Sequence, residues 1–152
     1  MSEETLTDKP SVTLVRRLNA TPAQVYAAWT RPEQIVKWWG PAGADMQHAV
    51  VDVRVGGTYR IGFRNPDGQE NEASGVYREV VPDRRLVFTW TWRATPERNS
   101  LVTVAIEPVD GGCELTFTHA QLFDESVAAS HRDGWTGALD KLEALVEGSL
   151  AG

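Results

Sequence analysis

Between Arg84 and Arg93 the chain reads RRLVFTWTWR, and this alternation is its strongest constraint on a fold. At a period of two, Leu86, Phe88, Trp90 and Trp92 fall on one face of a strand, and Arg85, Val87, Thr89, Thr91 and Arg93 fall on the other. A row of such large apolar side chains has to leave water, so the strand belongs to a sheet whose aromatic face is covered. Two further stretches repeat the pattern. Tyr59, Ile61 and Phe63 form the inner set of one, and Cys113, Leu115, Phe117 and His119 form that of the other.

Six strand candidates follow one another, over residues 46–55, 57–64, 72–80, 84–93, 101–107 and 113–121. Gly56-Gly57, Asn65-Pro66-Asp67-Gly68, Pro82-Asp83 and Asp110-Gly111-Gly112 supply turn chemistry between them, which predicts an antiparallel meander. Before it, SVTLVRRLNA from Ser11 sets Val12, Leu14 and Arg16 against Thr13, Val15 and Arg17, a first strand. Thr21-Pro22 and Pro32 then open two short helices. In the second, Trp38 and Trp39 follow Ile35 by three and four residues and share a face; Gly40 offers a left-handed cap, and Pro41 a stop. A last helix runs from an Asp124 N-cap to about Gly148. Its inner stripe is Val127, His131, Trp135, Ala138, Leu142 and Leu145, and Asp133, Asp140 and Glu147 face away.

A helix of this kind lies across the curved sheet, and a bent sheet around a single helix tends to leave space between them. Gly134 and Gly137 fit that picture if another backbone or a ligand approaches there; a kink or a ragged helix start is the other reading. The 152 residues suit one domain, expected over 11–148 behind a disordered lead at 1–10. A formal net charge of −6 argues against phosphate backbones and anionic lipid, so neither nucleic acid nor a membrane is expected as a partner. The single Cys113 forms no intrachain disulfide and suits a reducing compartment. The polar start MSEETLTDKP lacks the apolar core of a signal peptide, and a cytoplasmic location is expected. Asn19-Ala20-Thr21 is a chance sequon in that setting.

TPAQVYAAWTRPEQIVKWWGP, VRVGGTYRI, GVYREVVPDRRLVFTW and HRDGWTGALDKLEALV, in this order, resemble the SRPBCC superfamily of START-like, Bet v 1-like helix-grip proteins. Within it they look like the branch named for the activator of heat-shock protein 90 ATPase, over about Val12 to Val146. The resemblance implies an α+β fold in which a seven-stranded antiparallel sheet wraps a long C-terminal helix and two short helices close one end of a hydrophobic tunnel. It places Trp38 and Trp39 at the tunnel mouth and His119 and Trp135 near the lining. The strand faces add Tyr59, Phe63, Tyr77, Trp90, Trp92 and Phe117 as candidates for a ligand site, and the helix adds His131; packed as a solid core, the same aromatic rings would leave no tunnel.

No nucleophile elbow, P-loop, dinucleotide fingerprint or H-E-x-x-H occurs, so no catalytic set and no cofactor is assigned. His131-Arg132-Asp133 copies a kinase tripeptide without the rest of that machinery. His48, His119 and His131 have no carboxylate at ligand spacing, and no metal site is expected. His119 alone is aimed inward by strand parity, where its ring needs a partner or a ligand carbonyl. The expected function is a binding module for a small hydrophobic, aromatic or polyketide-like molecule held between sheet and C-terminal helix. A cyclase or aromatase, with His119 or Tyr77 moving a proton, is the first alternative. A chaperone-stimulating interaction domain is the second; it ranks lower because cochaperones of this name use a separate N-terminal domain that this sequence does not present. Monomer and homodimer both stay open.

Overall fold

A computed structural model describes residues 9–39, 45–96 and 98–151. The described elements are β1 (Val12–Leu18), α1 (Pro22–Thr30), α2 (Pro32–Trp38), β2 (Asp45–Val51), β3 (Thr58–Arg64), β4 (Glu70–Val81), β5 (Arg85–Trp92), β6 (Ser100–Val109), β7 (Gly112–Ala120) and α3 (Glu125–Ala151). The strands form one antiparallel sheet in the order β1-β7-β6-β5-β4-β3-β2. β2 through β7 meander, and β1 returns to the far edge, where Val12 faces His119 across the β1–β7 ladder. This is the α+β helix-grip architecture, with α3 packed on the inner face of the sheet.

Strand parity predicts that inner face well. Leu86, Phe88 and Trp90 are buried and Trp92 is half-buried, while Arg85 and Arg93 are exposed. Tyr59, Ile61 and Phe63 join Val102, Val104, Leu115 and Phe117 in one continuous core. At the β4–β5 ladder a β-carbon on Gly75 would stand 1.9 Å from the Thr89 carbonyl oxygen. Only a residue without one lets these strands approach so closely. Thr89 is used twice more: its hydroxyl accepts from Val76 N at 2.9 Å, and its carbonyl accepts from the Tyr59 hydroxyl at 2.6 Å.

The first helix is closed by a reciprocal cap. Thr21 Oγ1 accepts from Gln24 N at 3.1 Å, and Gln24 Oε1 accepts from Thr21 N at 2.9 Å, with Pro22 at the first helical position. The second helix ends at Trp38, and Trp39 already has an extended backbone (φ −66°, ψ 150°). The two indoles therefore do not form one helical stripe, although both are buried and their centroids lie 5.4 Å apart. Packing of Trp39 against Trp90 and Trp135, at 5.4 and 5.5 Å, accounts for the early end. The expected cap and stop at Gly40-Pro41 and most of the expected N-terminal lead fall outside the described residues.

Asp124 caps α3 as its sequence suggests, its carboxylate accepting from Val127 N at 2.9 Å. The helix passes through Gly148 to Ala151 rather than ending there. Its buried side is Ala128, Trp135, Ala138, Leu139, Leu142 and Val146, so Leu139 and Val146 widen the stripe, while Val127, His131 and Leu145 lie half-buried at its margin. Asp140 and Glu147 do not simply face away. Arg16, on the inner face of edge strand β1, reaches Asp140 at 2.9 Å and Glu143 at 3.2 Å, and Glu147 accepts from Asn19 N at 3.0 Å. These contacts tie β1 to the helix. No described helix is long and apolar enough to cross a membrane.

Candidate functional site

Two clefts open where α3 crosses the free ends of β3, β4 and β5. The inner one, about 400 Å³, is lined by Trp39, Phe63, Asn65, Asn71, Trp90, Trp92, Ser130, His131, Gly134, Trp135 and Ala138. The outer one, about 900 Å³, is larger and more polar and includes Glu70, Arg93, Thr95, Asn99, Gln121, Phe123 and Ser126. Asn71, Trp90, Trp92, Ser130 and His131 belong to both. At this shared wall Trp92 Nε1 donates to His131 Nε2 at 3.3 Å. The His131 ring is therefore an acceptor at Nε2, and burial holds its pKa below the ordinary histidine value.

Each lining residue is placed by its element. The alternation of β5 turns Trp90 and Trp92 inward, and the pairing of Phe63 with Asn71 brings that amide to the same face. Asn65 sits in the tight turn between β3 and β4: its N–H donates to Gln69 O and its carbonyl accepts from Gly68 N, both at 2.8 Å. Gly68 has φ +92°, a conformation that glycine adopts without strain. From α3, Ser130, His131, Gly134, Trp135 and Ala138 present consecutive turns of one helical side. A β-carbon on Gly134 or Gly137 would meet nothing within 4 Å, so neither glycine marks the approach of another backbone, and Gly134 borders open cleft.

Of the residues singled out in the sequence, Trp39, Phe63, Trp90, Trp92, His131 and Trp135 come together around the inner cleft. Trp38, Tyr59, Tyr77, Phe117 and His119 lie behind it in the core. Trp38 is fully buried and donates from Nε1 to the Ala28 carbonyl at 2.8 Å. Tyr59 and Tyr77 pack on Phe88, and burial raises both hydroxyl pKa values well above the usual tyrosine range. Phe117 is wedged 4.3 Å from Trp135.

His119 is wholly enclosed. Trp135 Nε1 donates to its Nδ1 at 3.0 Å, which leaves the ring proton on Nε2 to be given to Ser100 Oγ at 2.7 Å. The Ser100 hydroxyl in turn donates to the Trp90 carbonyl at 3.2 Å. Both ring nitrogens are thus used inside the protein, and none is left for a ligand carbonyl. Burial first, and the neighbouring His131 second, lower the His119 pKa to about 2. The ring is neutral at any ordinary pH and holds Trp135 and Trp90 in place behind the cleft.

Two buried polar atoms on lining residues have no hydrogen-bond partner among the described residues: Trp90 Nε1 and Asn65 Oδ1. Among the described residues the lining includes no Asp, Glu, Lys or Arg, and His131 is its one titratable side chain. The sequence pattern does not single out Asn65, Asn71, Ser130 or Ala138 as site residues. Asn71 was legible in principle, since it shares strand parity with buried Ala73 and Tyr77. Asn65 reads as turn chemistry, and nothing local announces its second role. Among the described residues no group of three or more His, Cys, Asp or Glu could hold a metal ion.

The comparisons with known proteins agree with this architecture. A protein of Chromobacterium violaceum matches with a TM-score of 0.80 and 30% identity, over 91% of this chain and 98% of that one. An AHSA1 protein of Silicibacter pomeroyi matches with a TM-score of 0.78 and 28% identity, over 94% and 100%. An AHSA1-like protein of Aeromonas hydrophila, at 20% identity over 92% of this chain and 94% of that one and a TM-score of 0.76, shares the fold. No curated protein matches the chain at a significant level. Residues 19–147, from the turn after β1 to the penultimate turns of α3, match the family described as activator of Hsp90 ATPase homolog 1-like protein, and to that family the chain belongs.

Proposed function

We propose that the protein is a cytosolic binding protein for a small, mainly apolar, aromatic-sized molecule, held in the inner cleft between the sheet and α3. One observation carries this reading: a cleft of about 400 Å³ walled by Trp39, Phe63, Trp90, Trp92 and Trp135, with no charged side chain among the described residues that line it. That volume falls among small-molecule sites, which span about 300–1,000 Å³ and pair an apolar wall with a few polar groups. The cyclase alternative needs two titratable groups converging on a substrate; among the described residues His131 is the one titratable group in the lining, while His119 and Tyr77 are sealed in the core. A chaperone-docking face would call for a contiguous apolar patch. Among the described residues the exposed large hydrophobics Val15, Val36, Val50, Val55, Val81 and Phe123 each come from a different strand, helix or loop.

The test uses the tryptophans as reporters, since four of the six line the cleft. Titration with naphthalene-sized aromatic compounds is expected to quench intrinsic fluorescence saturably, with a Kd near micromolar, about 8 kcal/mol. Linear, unsaturable quenching by every compound would remove the reading.

A further inference from the structure

We infer that the molecule held in the inner cleft is an aromatic carboxylic acid, its ring among the tryptophans and its ionised carboxylate at the wall shared with the outer cleft, on His131 Nδ1; this rests on the ligand-binding reading above. The shared wall supplies the first half of the argument. Because Trp92 Nε1 donates to His131 Nε2 at 3.3 Å, the neutral imidazole carries its proton on Nδ1. That atom has no partner among the described residues, yet it is not enclosed as Trp29 Nε1, Asn65 Oδ1 and Trp90 Nε1 are. His131 lines both clefts, so its Nδ1–H is a donor available to a molecule at this wall. Two more donors belong to the same wall: the exposed Ser130 hydroxyl, and the Asn71 amide, whose Nδ2 makes only a long contact to Gln69 O at 3.4 Å. The group that suits such a set is a strong acceptor.

Charge supplies the second half. The chain is acidic, with a formal net charge of −6, but among the described residues the outer cleft has the opposite balance. Lys9, Arg93 and Arg98 line it along with Glu70 and Glu72. Both carboxylates are already engaged by residues outside the lining: Glu70 by Arg64 at 2.9 Å, and Glu72 by His48 at 2.8 Å and Arg60 at 3.8 Å. Arg98 lies over the Phe123 ring, 3.8 Å from its centroid, a contact that leaves its positive charge uncancelled. An anionic group at the shared wall is attracted by these cations, and a cationic group is repelled. The described lining of the inner cleft offers an ion no counter-charge, so the ring belongs inside and the carboxylate at the wall.

Naphthalene derivatives of one ring size separate the claims: naphthalene itself, 2-naphthoate, 2-naphthamide, which keeps a carbonyl acceptor without the charge, and 2-naphthylmethylammonium, which reverses the charge. Their affinities are read by fluorescence and by shifts of the tryptophan indole N–H resonances. 2-Naphthoate is expected to bind about tenfold tighter than naphthalene, with the amide between the two and the ammonium weakest. In a cleft with no donor and no positive surroundings the order reverses, because the carboxylate gives up its water for nothing.

His131→Phe keeps a ring in the wall and removes the donor. The ratio of naphthoate to naphthalene affinity, taken within each protein, is expected to fall from about ten to about two, whatever the substitution does to binding in general. Should that variant fail to fold, the probe order in the wild-type protein decides. Naphthoate binding no tighter than naphthalene or the amide, tighter binding of the ammonium, or an unchanged ratio in His131→Phe overturns the inference and leaves the binding reading standing. Absence of binding by every probe overturns both.

Discussion

Trp135 Nε1 lies 3.0 Å from His119 Nδ1, and this one bond joins the long helix to the last strand at the floor of the cleft. The donor comes from α3 and the acceptor from β7, so the contact forms only when the helix is seated in the sheet. It also sets the histidine tautomer, which lets Nε2 serve Ser100 and Ser100 serve the Trp90 carbonyl. The relay fixes two of the tryptophans that wall the cleft. In its position His119 is a buried strut.

A strut that must stay neutral makes stability depend on pH. In the unfolded chain the ring takes up a proton near the ordinary histidine pKa of about 6.5, whereas in the folded protein it does so only near 2. Between those values the unfolded state binds more protons, so stability is present above about pH 6.5 and is lost as pH falls, by up to about 1.4 kcal/mol per pH unit from this group. Urea unfolding at pH 7, 6 and 5 is expected to give a steeper decline for wild type than for His119→Gln. Carboxylates titrate mainly below this window, and His131, also lowered, is common to both proteins. Parallel pH profiles would contradict the assignment.

The close approach at Gly75 predicts a larger and simpler effect. A β-carbon placed 1.9 Å from the Thr89 carbonyl meets backbone, which cannot rotate away. Gly75→Ala is expected to cost about 1 to 3 kcal/mol in denaturant unfolding, through separation of β4 from β5. A loss within about 0.5 kcal/mol would mean that the ladder tolerates a looser spacing.

How far the sequence disclosed these features depends on whether the signal is periodic. Strand parity foretold the burial of Phe88, Trp90, Phe63 and His119, because a half-buried strand writes its inner face every second residue. Capping chemistry at Thr21 and Asp124 is local and equally readable. What parity does not distinguish is a side chain facing a cleft from one facing core. Tyr59 and Phe63 share a face four residues apart, yet Phe63 lines the cleft while Tyr59 is buried against Tyr77 and Phe88. The difference is set by where α3 crosses the sheet, a property of the assembled fold. The partner of His119 was hidden for the same reason: Trp135 is sixteen residues away and on another element.

The edge of the sheet supplies a test of charge. Arg16 contacts Asp140 and Glu143 with its own side chain 20% exposed and the carboxylates 66% and 38% exposed. Exposed pairs of this kind contribute about 0 to 1 kcal/mol and weaken with salt. Arg16→Met, which keeps the apolar stem, is expected to lower stability by no more than about 1 kcal/mol, and the difference from wild type should shrink in 1 M salt. A loss well above that, unchanged by salt, would show that Arg16 matters through packing.

Gly134 separates the needs of the helix from those of the cleft. It occupies the interior of α3, where glycine disfavours the helix by about 1 kcal/mol relative to alanine. Nothing stands within 4 Å of the position its β-carbon would take, so Gly134→Ala meets no steric penalty and is expected to raise stability by about 0.5 to 1 kcal/mol. The same residue borders the inner cleft, between His131 and Trp135 on the helix. Gly134→Leu carries a side chain long enough to occupy that space. It is expected to remain folded while losing most of its affinity for the naphthalene-sized probes that wild type binds. Alanine, adding one methyl group, should reduce affinity only slightly. Paired unfolding and fluorescence titrations of the three proteins read both effects. If Gly134→Leu bound as tightly as wild type, the ligand would have to sit elsewhere, and the inner cleft would lose its assignment.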